Sequence, residues 1–379
     1  MIQALYRPVG PKRVQLGNPW TSGGSLNLTG QVDLSLPIRG LRFVFRGRWT
    51  LGGADMASVT PEGLLNLIPR ILVQGTNSRQ GGNITFCDMD LATLYGIQAM
   101  FNERPSQYTV NGTTVGQPGT PYPPSIIVTQ GAYDFRIVVD VPFHPFPLVP
   151  GIVPAFLVRK EEWKESIQIT LDYATVANGA VNGPLGLGQA ATTHVFSQFG
   201  GAGGTPVVDI YALPIEMGDL RNLVQPGVLV RTVTPLTTIF QSAQGPNASL
   251  LDLQLKKTPR IYLKIGTSVS GVAFATLSDT NLTAWGLSVG GNRDVRDEFD
   301  IFSHKQEQSA HYGRNPIQGY NAFDFIQSGN PDSAYPGDEV SSGVKLQLVG
   351  TCAGIANARA HVIQEQILYR PEGVLYNPV

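Results

Sequence analysis

The sequence predicts an all-β protein built from two successive copies of one strand module. Three observations carry that prediction. Apolar residues recur at every second position in many short runs, 43 glycines and 28 prolines punctuate the 379 residues, and the order of the runs repeats in the second half. Turn-formers at nearly a fifth of all positions would break long helices every few residues. With 42% apolar residues and a net charge of −1, the chain is too hydrophobic and too neutral for disorder. The glycines lack the three-residue period of collagen. Only 15% of residues are charged, against about 25% in an ordinary soluble domain.

The strands follow in order. Val32, Leu34 and Leu36 alternate with Asp33 and Ser35. Leu41, Phe43, Phe45 and Trp49 alternate with Arg42, Arg46 and Arg48. Phe135, Ile137, Val139 and Val141 lie opposite Arg136 and Asp140. Ile167 to Tyr173, Leu251 to Leu255, Ile261 to Ile265 and Val344 to Leu348 repeat the pattern. Side chains on a strand point alternately to two faces, so each run reads as a half-buried strand. Helical signals are few. Thr60-Pro61-Glu62 reads as an N-cap with proline in the first turn. Asp88 or Asp90 caps a helix through Leu91, Leu94, Tyr95 and Met100, and Asp294 to Phe302 reads as a third helix.

The halves echo one another. Asp33 to Leu36 followed by Arg42 to Phe45 matches Asp252 to Leu255 followed by Arg260 to Leu263. Asp134-Phe135, Ile167 to Tyr173 and Val207 to Ile215 match Asp324-Phe325, Val344 to Val349 and Val362 to Tyr369 in the same order. The join falls near Gly218 to Gly227. Leu5-Tyr6-Arg7-Pro8-Val9-Gly10 is echoed by Leu368-Tyr369-Arg370-Pro371-Glu372-Gly373, with no physical account from sequence.

No run approaches the ~18 continuous apolar residues of a membrane helix, and no apolar stretch follows Arg7 and Pro8 as in a signal peptide. Cys87 and Cys352 read as free buried thiols of a chain made in a reducing compartment. Residues 1–48 carry Arg7, Lys12, Arg13, Arg39, Arg42, Arg46 and Arg48 against Asp33, a local charge of +6. Pairing with acids of a neighbouring subunit is the favoured reading of that excess, ahead of nucleic acid or an anionic membrane.

No catalytic, cofactor-binding or metal residue is predicted. No G-x-S-x-G elbow, phosphate loop or C-x-x-C occurs, and no histidine pair has zinc-helix spacing. His304 and His311 read as loop histidines, and Gly200 to Gly204 as a flexible surface loop. Asp294, Asp297, Glu298 and Asp300 are the best cation candidates, but Arg293 and Arg296 are interleaved among them, which favours a solvated helix face or an intersubunit salt-bridge patch. Asp134, Asp140, Asp172 and Asp209 fall on strands as outward-facing residues; a pair of them for glycoside hydrolysis is the alternative.

Two β modules, short internal helices, long Gly/Pro-rich loops and low charge resemble the double-jelly-roll major capsid proteins. That lineage includes adenovirus hexon and the capsid proteins of tailless, membrane-containing icosahedral viruses. Asp33 to Phe45 is similar to the first two strands of such a barrel, Thr60 to Val73 to its helix and following strand, and Asp252 to Ile265 to the start of the second barrel. The resemblance implies two consecutive jelly-roll β-barrels, with an N-terminal arm (1–31), a first barrel (32–224) and a second barrel with a tail (225–379). It implies no enzyme and no cofactor, but a structural protein of the virion, made in the host cytoplasm. The chain would form a homotrimeric, pseudo-hexagonal capsomer that meets neighbouring capsomers, with penton or minor capsid proteins as further partners. An inner membrane or genome would be met through the basic N-terminal segment, and Asn111 to Pro124 and Asn178 to Thr205 would form outward towers. A carbohydrate-binding or carbohydrate-hydrolysing β-sandwich is the other reading.

Overall fold

The computed structural model describes residues 6–14, 25–29, 32, 34–52, 64–77, 82–100, 107–110, 113–115, 131–144, 157–158, 167–173, 193–201, 203–217, 227–236, 247–253, 257–269, 273–276, 282–289, 292–312, 319–326, 335–336, 344–350 and 358–369. In the first half these form β1 (Tyr6–Pro8), β2 (Lys12–Arg13), β3 (Ser25–Thr29), β4 (Ile38–Gly52), β5 (Arg70–Asn77), β6 (Gly82–Met89), α1 (Leu91–Met100), β7 (Gln107–Val110), β8 (Thr113–Val115), β9 (Gly131–Pro142), β10 (Gln168–Asp172), β11 (Thr193–Ser197) and β12 (Val207–Met217). The second half adds β13 (Gly227–Leu236), β14 (Asn247–Leu253), β15 (Lys257–Val269), β16 (Ala273–Thr276), β17 (Leu282–Val289), β18 (Asn292–Asp300), α2 (Ile301–Tyr312), β19 (Tyr320–Asp324), β20 (Tyr335–Pro336), β21 (Val344–Gly350) and β22 (Ala358–Tyr369).

Strand pairing reveals a complete duplication. In the first half β3-β10-β5-β6 form one four-strand array, and β4 lies between β12 and β9 in another. In the second half β14-β21-β17-β18 repeat the first array, and β15 lies between β22 and β19. A helix follows the last strand of each four-strand array: α1 after β6, α2 after β18. On the outer edge, β1 and β2 pair with β12, and β13 pairs with β22. Two facing arrays with this strand order, made twice, constitute two consecutive jelly rolls. The expected echo of Arg42 in Arg260 holds in register: Arg42 faces Asp140 on β9, and Arg260 faces Asp324 on β19.

Alternation places the cores as read. Leu41, Phe43, Phe45 and Trp49 turn inward from β4, and Phe135, Ile137, Val139 and Val141 from β9; all are buried. Each such burial contributes about 1.5–3 kcal/mol. The ring of Trp49 packs against Phe196 at 6.5 Å and Tyr133 at 6.1 Å. Cys87 is a free buried thiol as expected; Cys352 lies outside the described residues.

Several expectations are corrected. The first predicted strand is not one: Leu34, Ser35 and Leu36 bend ahead of Pro37, and the strand equivalent to β14 is β3, earlier in the chain. Asp294 to Asp300 form β18, not a helix, and α2 starts at Ile301. Pairing of Trp285 with Phe299 and of Ala284 with Asp300 draws this charged stretch into the sheet. His304 and His311 therefore lie on α2, and His304 is buried 5.5 Å from the Phe323 ring. The proposed cap Thr60-Pro61-Glu62 lies outside the described residues, and Leu65–Leu67 form a single 3-10 turn. Of the two candidate caps of α1, Asp90 is the one used: it accepts from the Thr93 N–H and hydroxyl, both at 2.7 Å.

Candidate functional site

Two sheet faces, one in each half, carry the charge chemistry of the chain. They are equivalent by the duplication and differ in what covers them.

On the face of β15, β19, β22 and β13 that looks toward the first half, Arg231, Arg260, Tyr262, Lys264, Tyr320, Asp324 and Glu365 are all buried. Residues 260, 262 and 264 of β15 point there, because 261, 263 and 265 fill the core of their own half. Arg260 forms an ion pair with Asp324, at 3.0 Å. Arg231 donates to Glu365 at 2.7 Å, and to the backbone carbonyls of Pro142 and His144 in the first half. Arg260 also lies 3.9 Å from Glu365. Lys264 is fully buried, 5.5 Å from the Tyr320 ring centre. Asp90, at the foot of α1, lies within the fields of Lys264 and His361. Burial would push its carboxyl up; those two charges and the Thr93 hydrogen bonds outweigh it and hold it below the usual carboxylate range. Buried ions are costly unless paired, and here cations and carboxylates balance across the seam.

The seam is closed by α1. Every residue of this helix is buried, as suits a helix apolar nearly all round. Gln98 bonds both the backbone N–H and carbonyl of Asp140. Tyr320 donates its hydroxyl to the Ala92 carbonyl at 3.2 Å. Its ring lies against Gly96, where a Cβ would stand 2.4 Å from Cζ. The sheets also join: Thr232 of β13 pairs in parallel with Asp88 of β6, so one sheet runs from the first half into the second.

The equivalent face in the first half is the outer face of β4, β9 and β12. It carries most of the predicted basic excess, and the favoured reading of that excess is corrected for four arginines. Arg42 forks onto Asp140 at 2.9 and 3.2 Å, and Arg48 onto Asp134 at 2.8 and 2.7 Å. Arg46 and Arg13 both reach Asp209. These arginines pair within their own chain. Burial, opposed by Arg42 and Arg39, lifts the Asp140 carboxyl above its ordinary value. One of the carboxylate pairs open to the glycosidase alternative is excluded here. Asp134 and Asp140 are about 20 Å apart along one strand at ~3.4 Å per residue, far beyond the ~5–9.5 Å of paired catalytic carboxylates.

The glycine-rich stretch is ordered by hydrogen bonds rather than free. β11 and β12 lie end to end along the same edge of β4, and residues 198–201 and 203–206 lie between them. Gln198 N–H donates to Gly203, Gly201 N–H to Gln198 and Ser197 Oγ to Gly201. Gly200 and Gly204 take positive φ, and Gly200 N–H donates to Asp134 at 3.0 Å. Phe199 on this loop is the large hydrophobic exposed among the described residues, at 51%.

Asp294, Asp297, Glu298 and Asp300 are brought together on β18 alone, at the edge of its sheet. Among the described residues no group of three or more His, Cys, Asp or Glu is placed to hold a metal ion, and no helix is long and apolar enough to cross a membrane. Sequence reading missed the buried seam. Its signal was present in charged residues at inward positions of otherwise apolar strands, Arg231 and Glu365 among them.

No family model and no curated protein matches the sequence. Solved structures do. Over 98% of this chain and 99% of the other, the fold superposes on the major capsid protein P2 from bacteriophage PM2 with a TM-score of 0.53 and 9% identity. The Faustovirus major capsid protein gives 0.58 at 7% identity over 97% and 91%. The STIV MCP gives 0.55 at 13% identity over 97% of both chains. The fold is that of viral major capsid proteins. Both jelly rolls of this capsid fold lie within the matched length.

Proposed function

We propose that this chain is the major capsid protein of an icosahedral virus, and that it works by self-assembly. One observation carries the reading: the match to three major capsid proteins over 97–98% of this chain, which covers both modules and the seam between them. The engagement of Asp134, Asp140 and Asp209 by arginines supports a structural role over a catalytic one. On this reading the arm is residues 1–31, the first barrel 32–224 and the second 225–379. Segment 1–31 lends strands to the first barrel: β3 joins its four-strand array through β10, and β1 pairs with β12. The assembled unit is a homotrimer with six similar barrels, located in the virion shell. Neighbouring capsomers, and minor proteins at special positions, complete that shell.

The test is the solution mass of the purified chain by light scattering behind a sizing column. A species at three times 40.8 kDa that survives dilution, and closed particles by electron microscopy at higher concentration, are expected. A monomer at micromolar concentration with no particles under any condition overturns the reading.

A further inference from the structure

The duplication gives each chain two equivalent sheet faces, and strand order alone does not tell the first half which of them to sit on. The cations match. Arg42, Arg46 and Arg13 of the first-half face hold the register positions of Arg260, Lys264 and Arg231 on the second. One carboxylate matches as well: Asp140 faces Arg42 across β9 and β4, and Asp324 faces Arg260 across β19 and β15. The other carboxylate does not. Opposite Arg42 on β12 stands Tyr211, whereas opposite Arg260 on β22 stands Glu365. The first-half acid, Asp209, stands opposite Val44 instead, and Ile363 fills that position in the second half, opposite Tyr262. The acid is displaced by one position of the same face, two residues or about 7 Å along the strand.

That displacement changes what each face offers a partner. Asp209 engages both Arg13 and Arg46 within the first-half face. Glu365 holds Arg231 through Nε at 2.7 Å and lies 3.9 Å from Arg260. The two outer guanidinium nitrogens of Arg231 then donate out of the face, to the carbonyls of Pro142 and His144 in the first half. Lys264, in the register position of Arg46, puts its field on Asp90 at the foot of α1. Arg231, Lys264 and Glu365 are all buried in this joint. Buried ion pairs add little stability over apolar residues of the same shape. They do penalise a mismatched surface, which would leave a charge buried and unanswered.

We propose that the placement of this carboxylate at residue 365 is the address of the seam: it turns Arg231 and Lys264 toward the first half, and so selects the second-half face over its equivalent as the surface on which α1 and the end of β9 dock. Glu365 is a positioning residue here, acting through Arg231. Apolar packing around Tyr320 and Gly96 holds the halves together, and the ion pair decides which halves are held. The inference concerns the joint within one chain and does not depend on the capsid reading.

The experiment uses two double variants of the full chain. Ile363→Asp with Glu365→Leu moves the acid to the first-half pattern, and Arg231→Met with Glu365→Leu removes the pair. Each protein is refolded from denaturant, its masses are read by light scattering behind a sizing column, and amide exchange of α1 is followed by peptide mass. Wild type is expected to give one mass. The moved acid is expected to speed exchange of α1 tenfold or more, with β4 and β9 unchanged, and to spread the refolded chain over several masses. The apolar pair is expected to keep α1 exchange within threefold of wild type and still to give several masses, because the seam closes but no longer chooses its partner. A pair that only stabilised the fold would leave the mass distribution unchanged. An apolar pair that refolds to the single wild-type mass therefore overturns the proposal, and this arm decides the matter if the moved acid prevents folding. A wild-type chain that itself refolds to several masses overturns it too.

Discussion

Arg231 donates from Nε to Glu365 at 2.7 Å, and neither side chain retains any contact with water. The two residues face one another across β13 and β22, and the remaining guanidinium nitrogens bond carbonyls of the other half. Removing one partner of such a pair strands a buried charge. Glu365→Gln is expected to cost about 3–5 kcal/mol. Replacing both, as Arg231→Met with Glu365→Gln, is expected to cost less than the sum of the single changes. Urea midpoints of the four proteins check this; strictly additive losses would count against a coupled pair.

Acid should loosen the seam through Asp90. Its folded pKa lies below the unfolded value of about 3.9, so its contribution is fully present above that value and is lost as pH falls through the depressed folded one. Denaturation midpoints measured from pH 7 down to pH 2 are expected to fall below about pH 4, and to fall less steeply in that window for Asp90→Asn. A variant with the same acid slope as wild type would remove Asp90 from the account.

Gly96→Ala would ordinarily favour a helix by about 1 kcal/mol. Here its Cβ meets the Tyr320 ring at 2.4 Å, in a fully packed site. Overpacking is expected to win, with a net loss of about 1–3 kcal/mol. The readout is the thermal midpoint, and a rise would contradict the packing described.

Cys87 should be chemically silent while the protein is folded. Burial pushes its thiol up to about 12, so almost no thiolate exists near neutral pH. A thiol reagent at pH 8 is expected to modify Cys87 only after denaturant is added. Rapid native-state labelling, located by peptide mass, would show the site to be open.

Much of this architecture was legible because alternation is a local signal. The inward residues of β4 and β9 follow from period two alone, and Asp90 as a cap follows from residue type and position. What escaped was set by pairing across the fold. Nothing local in Asn292 to Asp300 distinguishes a charged strand from a charged helix; β17 decides it. Val32 to Leu36 alternates correctly, yet its described residues lie in no strand. The arginines of β4 looked like a surface seeking external acids, because Asp140 and Asp209 lie 98 and 163 residues further along the chain. The repeat itself was visible as order of elements, and its meaning became clear only when Arg42 and Arg260 occupied the same register.

The parallel junction of β6 with β13 also sets a timetable for synthesis. A ribosome finishes β6 at Met89 and does not begin β13 until Gly227, roughly 140 residues later. At about 5–20 residues per second that is a lag of roughly 7–30 s. Through that interval the first barrel carries a bare strand edge, and the α1 face that Tyr320 will cover stands open. Nascent chains on one polysome would be close enough to pair with one another by mistake. The seam between the halves therefore cannot close until the second half of the chain has been made.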